Sequence, residues 1–262
     1  MDPALRAAAS GMMAQQTRSE VIANNLANVN TTGFKRSRAH FEDLLYQTVQ
    51  GAAVVGGNDA SSMPAIQIGR GVRLAAVQRL HGQGPLEATQ RPLDLAIEGE
   101  GLFQVQLPNG QVGYTRDGSF QISDEGTLVT QQGFTVVPGI KVPTDAASLT
   151  ISRTGVVSAT RGAAGETVEL GRIELARFAN PAGLLSMGEN VLTQTAASGE
   201  PALGLPEEDG MGRVLQGHLE GSNVEIVQEM VDMITSLRAY EINSKAIKNS
   251  EEMTQIANSL VR

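Results

Sequence analysis

The stretch VIANNLANVNTTGFKR, residues 21–36, decides how the rest of the chain is read. Ile22, Leu26 and Val29 fall at helical spacing, yet Asn24, Asn25, Asn28 and Asn30 crowd the same turns. Asparagine is a mediocre helix former because its amide competes for nearby backbone groups. Either this is a fraying, solvated helix end, or it is a helix with no solvated face, whose amides pair with neighbouring chains. The turn-formers from Asn30 to Gly33 should end it.

Upstream, Asp2-Pro3 is a start signal, because proline's missing N–H would be unpaired at the first helical position anyway. Leu5, Ala8, Met12, Gln15, Ser19, Ile22, Leu26 and Val29 then recur at three- and four-residue steps, a heptad-type seam that is weak at Gln15 and Ser19. At the other end, Asn223 to Arg262 contains neither Gly nor Pro. Ile226, Met230, Met233, Leu237 and Tyr240 form one seam, continued out of phase by Ile242, Ala246, Met253, Ile256 and Leu260. A lone helix with so narrow a stripe needs a partner. The two chain ends are therefore expected to pair as a coiled-coil stalk.

Between them the period changes to two. Phe103 to Leu107 runs into Pro108-Asn109-Gly110, a hairpin signal, and then into Val112 to Thr115. Further strands are expected near 149–151, 156–159 and 168–176. Turn signals at this density predict an antiparallel all-β head at residues 93–212. The segment 50–71, QGAAVVGGNDASSMPAIQIGRG, is small and Gly-rich. It is expected to be an extended linker, or a part that folds only on a partner. The fold class is thus α+β, with helices at 1–33 and 223–262. A connecting region at 34–92, joined by 213–222, links them to the head.

Composition narrows the function. The 262 residues contain no Cys or Trp, and aromatics make up 3%, so the core is thin or divided into small pieces. The formal charge is −8: +1 in residues 1–50, −2 in residues 222–262 and −7 between them. Nucleic acid is an unsuitable partner for such a surface. There is no run of about 18 apolar residues to span a membrane, and the N-terminus lacks the apolar region of a secretory signal.

Catalytic signals are weak. His40, His81 and His218 lie far apart without metal-ligand spacing, so no metal is expected. Gly69-Arg70-Gly71 and Gly99-Glu100-Gly101 complete no dinucleotide or phosphate fingerprint, so no cofactor is expected. Asp94, Glu98, Glu100, Asp117, Asp124 and Glu125 could supply a carboxylate pair for sugar chemistry, but most sit in turns and read as solvated surface. Lys35-Arg36-Arg38 reads as an ion-pairing patch against an acidic neighbour. Interaction surfaces remain, because Ala, Ser, Asn and Gln off the seams allow close helix approach on several sides.

Three stretches resemble one known family. Val21 to Lys35 is similar to the N-terminal signature of bacterial flagellar rod and hook proteins. Arg238-Ala239-Tyr240-Glu241-Ile242-Asn243-Ser244-Lys245-Ala246 resembles their C-terminal signature, and Tyr114-Thr115-Arg116-Asp117-Gly118-Ser119-Phe120 resembles a turn of their β domain. The chain length, Ala39 to Gln47 and the Gly-rich segment resemble the distal-rod branch. Proximal rod and hook subunits are close relatives. Leu5-Arg6-Ala7-Ala8-Ala9 departs from a bulky apolar residue common near positions 6 and 7, and Leu102 stands where an aromatic is common.

The resemblance implies a non-enzymatic subunit of a helical tube that encloses an export channel and transmits torque. It also implies export through the flagellar type III apparatus without a cleaved signal, and a periplasmic location. The implied partners are other copies of the chain, proximal rod and hook subunits, surrounding ring proteins and the export apparatus. Leu5, Met12, Ile22, Leu26, Val29, Phe34, Met230, Met233, Leu237, Tyr240, Ile242 and Ile256 would form the apolar subunit contacts. Asn24, Asn25, Asn28, Asn30 and Asn243 would satisfy the polar ones. The rival readings are a hook or proximal rod subunit, a stalked surface adhesin, and a carbohydrate-active β enzyme.

Overall fold

The computed structural model describes residues 3–50, 53–55, 61–63, 65–161 and 166–260. They form an α+β chain that divides into two units. One unit holds residues 1–26, 37–78 and 225–262, and the other holds residues 27–36 and 79–224.

The first unit contains both long helices, α1 at Pro3–Ala27 and α2 at Ile226–Leu260. Pro3 opens α1 as its fixed backbone favours, while Asp2 lies outside the described residues. The uninterrupted 35 residues of α2 make it about 52 Å long at 1.5 Å per residue. Four successive contacts run down α1 as they run up α2, so the helices are antiparallel. Gly11 lies against Asn243, Gln15 and Ser19 bond to Ser236, Arg18 pairs with Asp232, and Asn25 bonds to Glu229.

The Gly-rich stretch differs from the expected linker. The chain runs out through Ser37–Asp43, Gln47–Gln50 and Ala53–Val55, and returns through Ser61–Met63, Ile66–Ile68 and Val72–Arg79. Each outgoing strand pairs with its returning counterpart, giving a two-stranded ribbon. Residues 51–52, 56–60 and 64 of that stretch lie outside the described residues. Ile66-Gln67-Ile68 alternates as a strand should, and ladder pairing satisfies backbone groups that small side chains cannot cover. Gly71, at φ +113°, sits where an added Cβ would fall 2.1 Å from Ser10 Oγ, so only glycine fits there.

The second unit is antiparallel β. Its nine-stranded sheet centres on Leu102–Gln106, which pairs with Val112–Thr115 across the hairpin at Asn109-Gly110. Gly110 has φ +80°, the left-handed conformation such a turn needs. The expected single strand at 168–176 is two strands, Glu166–Arg172 in a three-stranded sheet and Leu175–Arg177 in the large one. Short pairs join Leu95–Glu98 to Arg213–Gln216 and Leu86–Ala88 to His218–Glu220.

The few aromatics are spent in pairs. Phe103 and Phe120 meet edge to face at 5.1 Å in a core with Leu95, Ile97, Leu128 and Leu175. Tyr114 and Phe178 meet at 4.8 Å in a smaller cluster with Leu102 and Leu192. Each pair adds about 1 kcal/mol beyond the area it buries.

Candidate functional site

The helix pair is organised the opposite way from the expected coiled coil. The row of α2 turned toward α1 is Glu229, Ser236 and Asn243. Ser236 is completely buried, donating to Gln15 O at 2.9 Å and sharing a 3.0 Å bond with Ser19 Oγ. The weak points of the α1 seam, Gln15 and Ser19, are thus among the residues that meet α2. Small and hydrogen-bonding groups let the helices approach closely where bulkier ones would hold them apart. A Cβ on Gly11 would come within 2.9 Å of Asn243 Nδ2.

The apolar row consequently points away from α1. Ile226, Met230, Leu237, Tyr240, Ile242, Met253 and Ile256 are all exposed, at 42–66%. Met233, Leu5, Met12, Leu26, Val29 and Phe34 are partly covered, and only Ile22 of the expected contact residues in the apolar set is buried within the chain. On the ribbon, Leu45, Tyr46, Val49, Ile66 and Ile68 are also exposed.

The asparagines separate into different roles. Asn25 is 1% exposed and works inside the chain. Its Nδ2 donates to Ser37 O at 2.9 Å and Glu229 Oε2 at 3.1 Å, while its Oδ1 accepts from Ser37 N at 2.8 Å. Its expected role toward a neighbouring chain therefore gives way to an internal one, because both amide hydrogens are already placed. Asn28 accepts from the Thr31 hydroxyl in the turn that ends α1, Asn243 lies against Gly11, and Asn24 and Asn30 are exposed.

In the β unit, three residues distant in sequence form a buried charged node. Lys35 Nζ donates to Glu220 Oε1 at 2.5 Å and to Gly82 O at 2.7 Å. Arg116 donates to Glu220 Oε2 through Nε, to Gly101 O through Nη1, and through Nη2 to Ile97 O and Gly99 O at 2.8 and 2.6 Å. Gly84 N donates to Glu220 Oε1 at 2.8 Å. The side chains of Lys35, Arg116 and Glu220 are 6%, 8% and 0% exposed.

Two cations thus share one carboxylate. Burial pushes the Lys35 ammonium below its ordinary range against the pull of Glu220. Burial alone would raise Glu220, but the Arg116 charge and the bonds from Lys35, Arg116 and Gly84 hold it below the usual carboxylate range. Burial, joined by the charges of Arg79, Lys35 and Arg116, lowers His81 to about 4. Asn223 adds a second clamp, accepting from Arg36 N at 2.7 Å and donating to Leu80 O and Gly82 O at 2.9 Å. Lys35 of the expected ion-pairing patch thus meets its acidic neighbour, Glu220, within the chain.

Glu220 and Asn223 escaped the sequence reading. The only local hint was glycine on both sides of His218 to Glu220, at Gly217 and Gly221. Glu98 is held low by its hydrogen bond from Arg213, at 2.6 Å, and Asp117 accepts from the Ser119 hydroxyl at 2.7 Å. Among the described residues no group of three potential metal ligands occurs. No described helix is long and apolar enough to cross a membrane.

Three family descriptions match the chain. Residues 5–35 match the flagella basal body rod protein family, 96–159 the flagellar hook protein FlgE/F/G D1 domain, and 215–260 the flagellar basal body rod FlgEFG protein C-terminal region. The flagellar basal-body rod protein FlgG of Borreliella burgdorferi is 50% identical, over 99% of this chain and 98% of its own. FlgG of Agrobacterium fabrum is 49% identical over 97% of both chains. The rod protein FlgF of Caulobacter vibrioides is 35% identical over 98% of this chain and 97% of its own. Lys35, Arg116 and Glu220 come one from each matched region. The chain belongs to the family of flagellar basal-body rod and hook proteins, which are structural proteins and not enzymes.

Proposed function

We propose that the chain is a subunit of the distal rod, polymerising into a straight helical tube that carries torque and encloses an export channel. The observation that carries this reading is the outward apolar row of α2. Among the described residues, ten large apolar side chains of α2 are exposed, which is costly in water, and copies of the same chain would cover them. The exposed ribbon supports it too, since an isolated two-stranded ribbon is only marginally stable. The higher identity to FlgG relatives than to the FlgF relative supports a place in the FlgG branch over other rod subunits.

In this reading residues 1–33 and 223–262 line the tube as a coiled-coil wall, 34–92 with 213–222 connect, and 93–212 form the head. Leu5, Met12, Leu26, Val29, Phe34, Met230, Met233, Leu237, Tyr240, Ile242 and Ile256 make apolar subunit contacts. Asn24, Asn28, Asn30 and Asn243 make polar ones. The partners are further copies, proximal rod and hook subunits, the surrounding ring proteins and the type III export apparatus. The subunit leaves without a cleaved signal and resides in the periplasmic rod.

Leu237→Asp tests the reading. Leu237 is half-exposed in the single chain, so the variant should keep the melting behaviour of the parent. A carboxylate buried without a partner costs several kcal/mol, so polymer recovered by sedimentation should fall by about tenfold or more. Undiminished polymer would refute this placement of α2.

A further inference from the structure

We propose that Met13, Met230 and Met253 are oxidation sites whose state decides whether the chain can join a polymer. The inference rests on the reading above, in which other copies cover the outward helix faces. The sequence has nine methionines and no cysteine, so thioethers are its only sulfurs. Met13, Met230 and Met253 are 72%, 51% and 65% exposed. Met230 and Met253 are not isolated on the surface. Met230 lies one helical turn from the exposed Ile226, Val227 and Ile234, and Met253 lies one turn from the exposed Ile256. Met211, in the core of the β unit, is 8% exposed.

A peroxide is the matching oxidant. The sulfur lone pair attacks one peroxide oxygen, an S–O bond forms and the O–O bond breaks. The thioether is oxidised by two electrons to the sulfoxide, and hydrogen peroxide is reduced to water. A flexible apolar side chain becomes polar and chiral, and such a group fits poorly into a dry helix contact. The sulfurs are open to peroxide only while the chain is free. Once covered by other copies they are out of reach, so the reaction acts on unassembled subunits.

The test uses the purified full-length chain, graded hydrogen peroxide, peptide mass spectrometry of each methionine, and sedimentation of polymer. In the free chain Met13 and Met253 should oxidise about fivefold or more faster than Met211, and polymer yield should fall about tenfold as they react. In preformed polymer, Met13, Met230 and Met253 should be protected by about tenfold. Across graded peroxide, loss of polymer should follow sulfoxide at Met13, Met230 and Met253 rather than at Met187, which is 58% exposed in the β unit. Treating the oxidised parent with methionine sulfoxide reductases should restore assembly.

Equal reactivity of the three sulfurs in polymer and free chain would overturn the packing reading itself. Protection in polymer combined with full assembly of the oxidised chain would overturn only the oxidation inference. Failure to regain assembly after the sulfoxides are reduced would do the same, by placing the damage elsewhere.

Discussion

In the β unit Leu95, Ile97, Phe103 and Leu175 are completely buried, whereas on α2 Val227, Ile242 and Met253 are 71%, 66% and 65% exposed. The polar groups are reversed as well. Glu229 and Ser236 of α2 are buried with partners on α1, while most charged side chains of the β unit lie at its surface. One chain therefore contains a unit that completes its own core and a unit that turns its apolar side outward. The difference locates where stability is intramolecular and where it awaits another copy. The charged node marks the β unit's self-sufficiency most sharply, since each charged group in it finds hydrogen-bond partners within the chain.

The comparison breaks most easily at Glu220. In Glu220→Ala the Lys35 and Arg116 charges remain buried without their carboxylate, at a cost of about 3–5 kcal/mol. Urea unfolding of the β unit should shift to lower concentration by that amount. A shift under about 1 kcal/mol would mean the node is dispensable and the unit owes its stability to apolar packing alone.

Acid should separate the units next. The unfolded His81 imidazole takes up its proton near pH 6.5, while the folded one does so only near 4. Between those values the unfolded chain binds more protons, so stability falls as pH is lowered through that window, by about 3 kcal/mol at most. Glu220 acts in the same sense lower down. Its folded carboxyl lies below the ordinary value of 4.5, so its contribution is present above 4.5 and is lost as pH falls through the folded value. His81→Gln should flatten the loss between pH 6.5 and 4 in urea titrations. An unchanged slope would move the acid sensitivity to other groups.

How much of this was legible follows the distance over which each signal acts. The hairpin at Asn109-Gly110 was readable because its turn chemistry is contained in two residues. Both helices were readable from period, and α2 also from the absence of breakers. Periodicity finds a row of side chains but not what the row faces, so Ile226 to Tyr240 was assigned to α1 when Ser236 and Glu229 take that place. The ribbon was hidden because Gln47–Gln50 meets Ile66–Ile68 only through long-range register, which weak local propensity does not announce. Glu220 and Arg116, 104 residues apart, share no local pattern at all. The aromatic shortage pointed to a core that is thin or divided, and among the described residues the aromatic pairs sit in two clusters, one large and one small.

Asn25 sharpens the helical side of the comparison. In Asn25→Ala the Ser37 N–H and C=O both lose their side-chain partner where α1 meets the ribbon, at a cost of about 1–3 kcal/mol. Hydrogen exchange of the full chain should show faster opening at Ser37 and along α2 near Glu229, with the β core unaffected. Uniform loss across both units would deny that they are separately stabilised.

The smallest effect belongs to the ribbon. Arg73 donates twice to Glu42 across it, at 2.9 and 3.2 Å, but the two side chains are 65% and 53% exposed. Water screens such a pair and ordering two long side chains opposes it, so Arg73→Gln should change stability by less than about 0.5 kcal/mol. The same substitution would matter more if the ribbon were packed among other copies, because a covered ion pair is no longer screened. Measuring the variant in free chain and in polymer therefore weighs the two states directly. Equal, small effects in both would mean the ribbon stays solvated on assembly, and the apolar side chains beside it, Tyr46 and Val49, would need another cover.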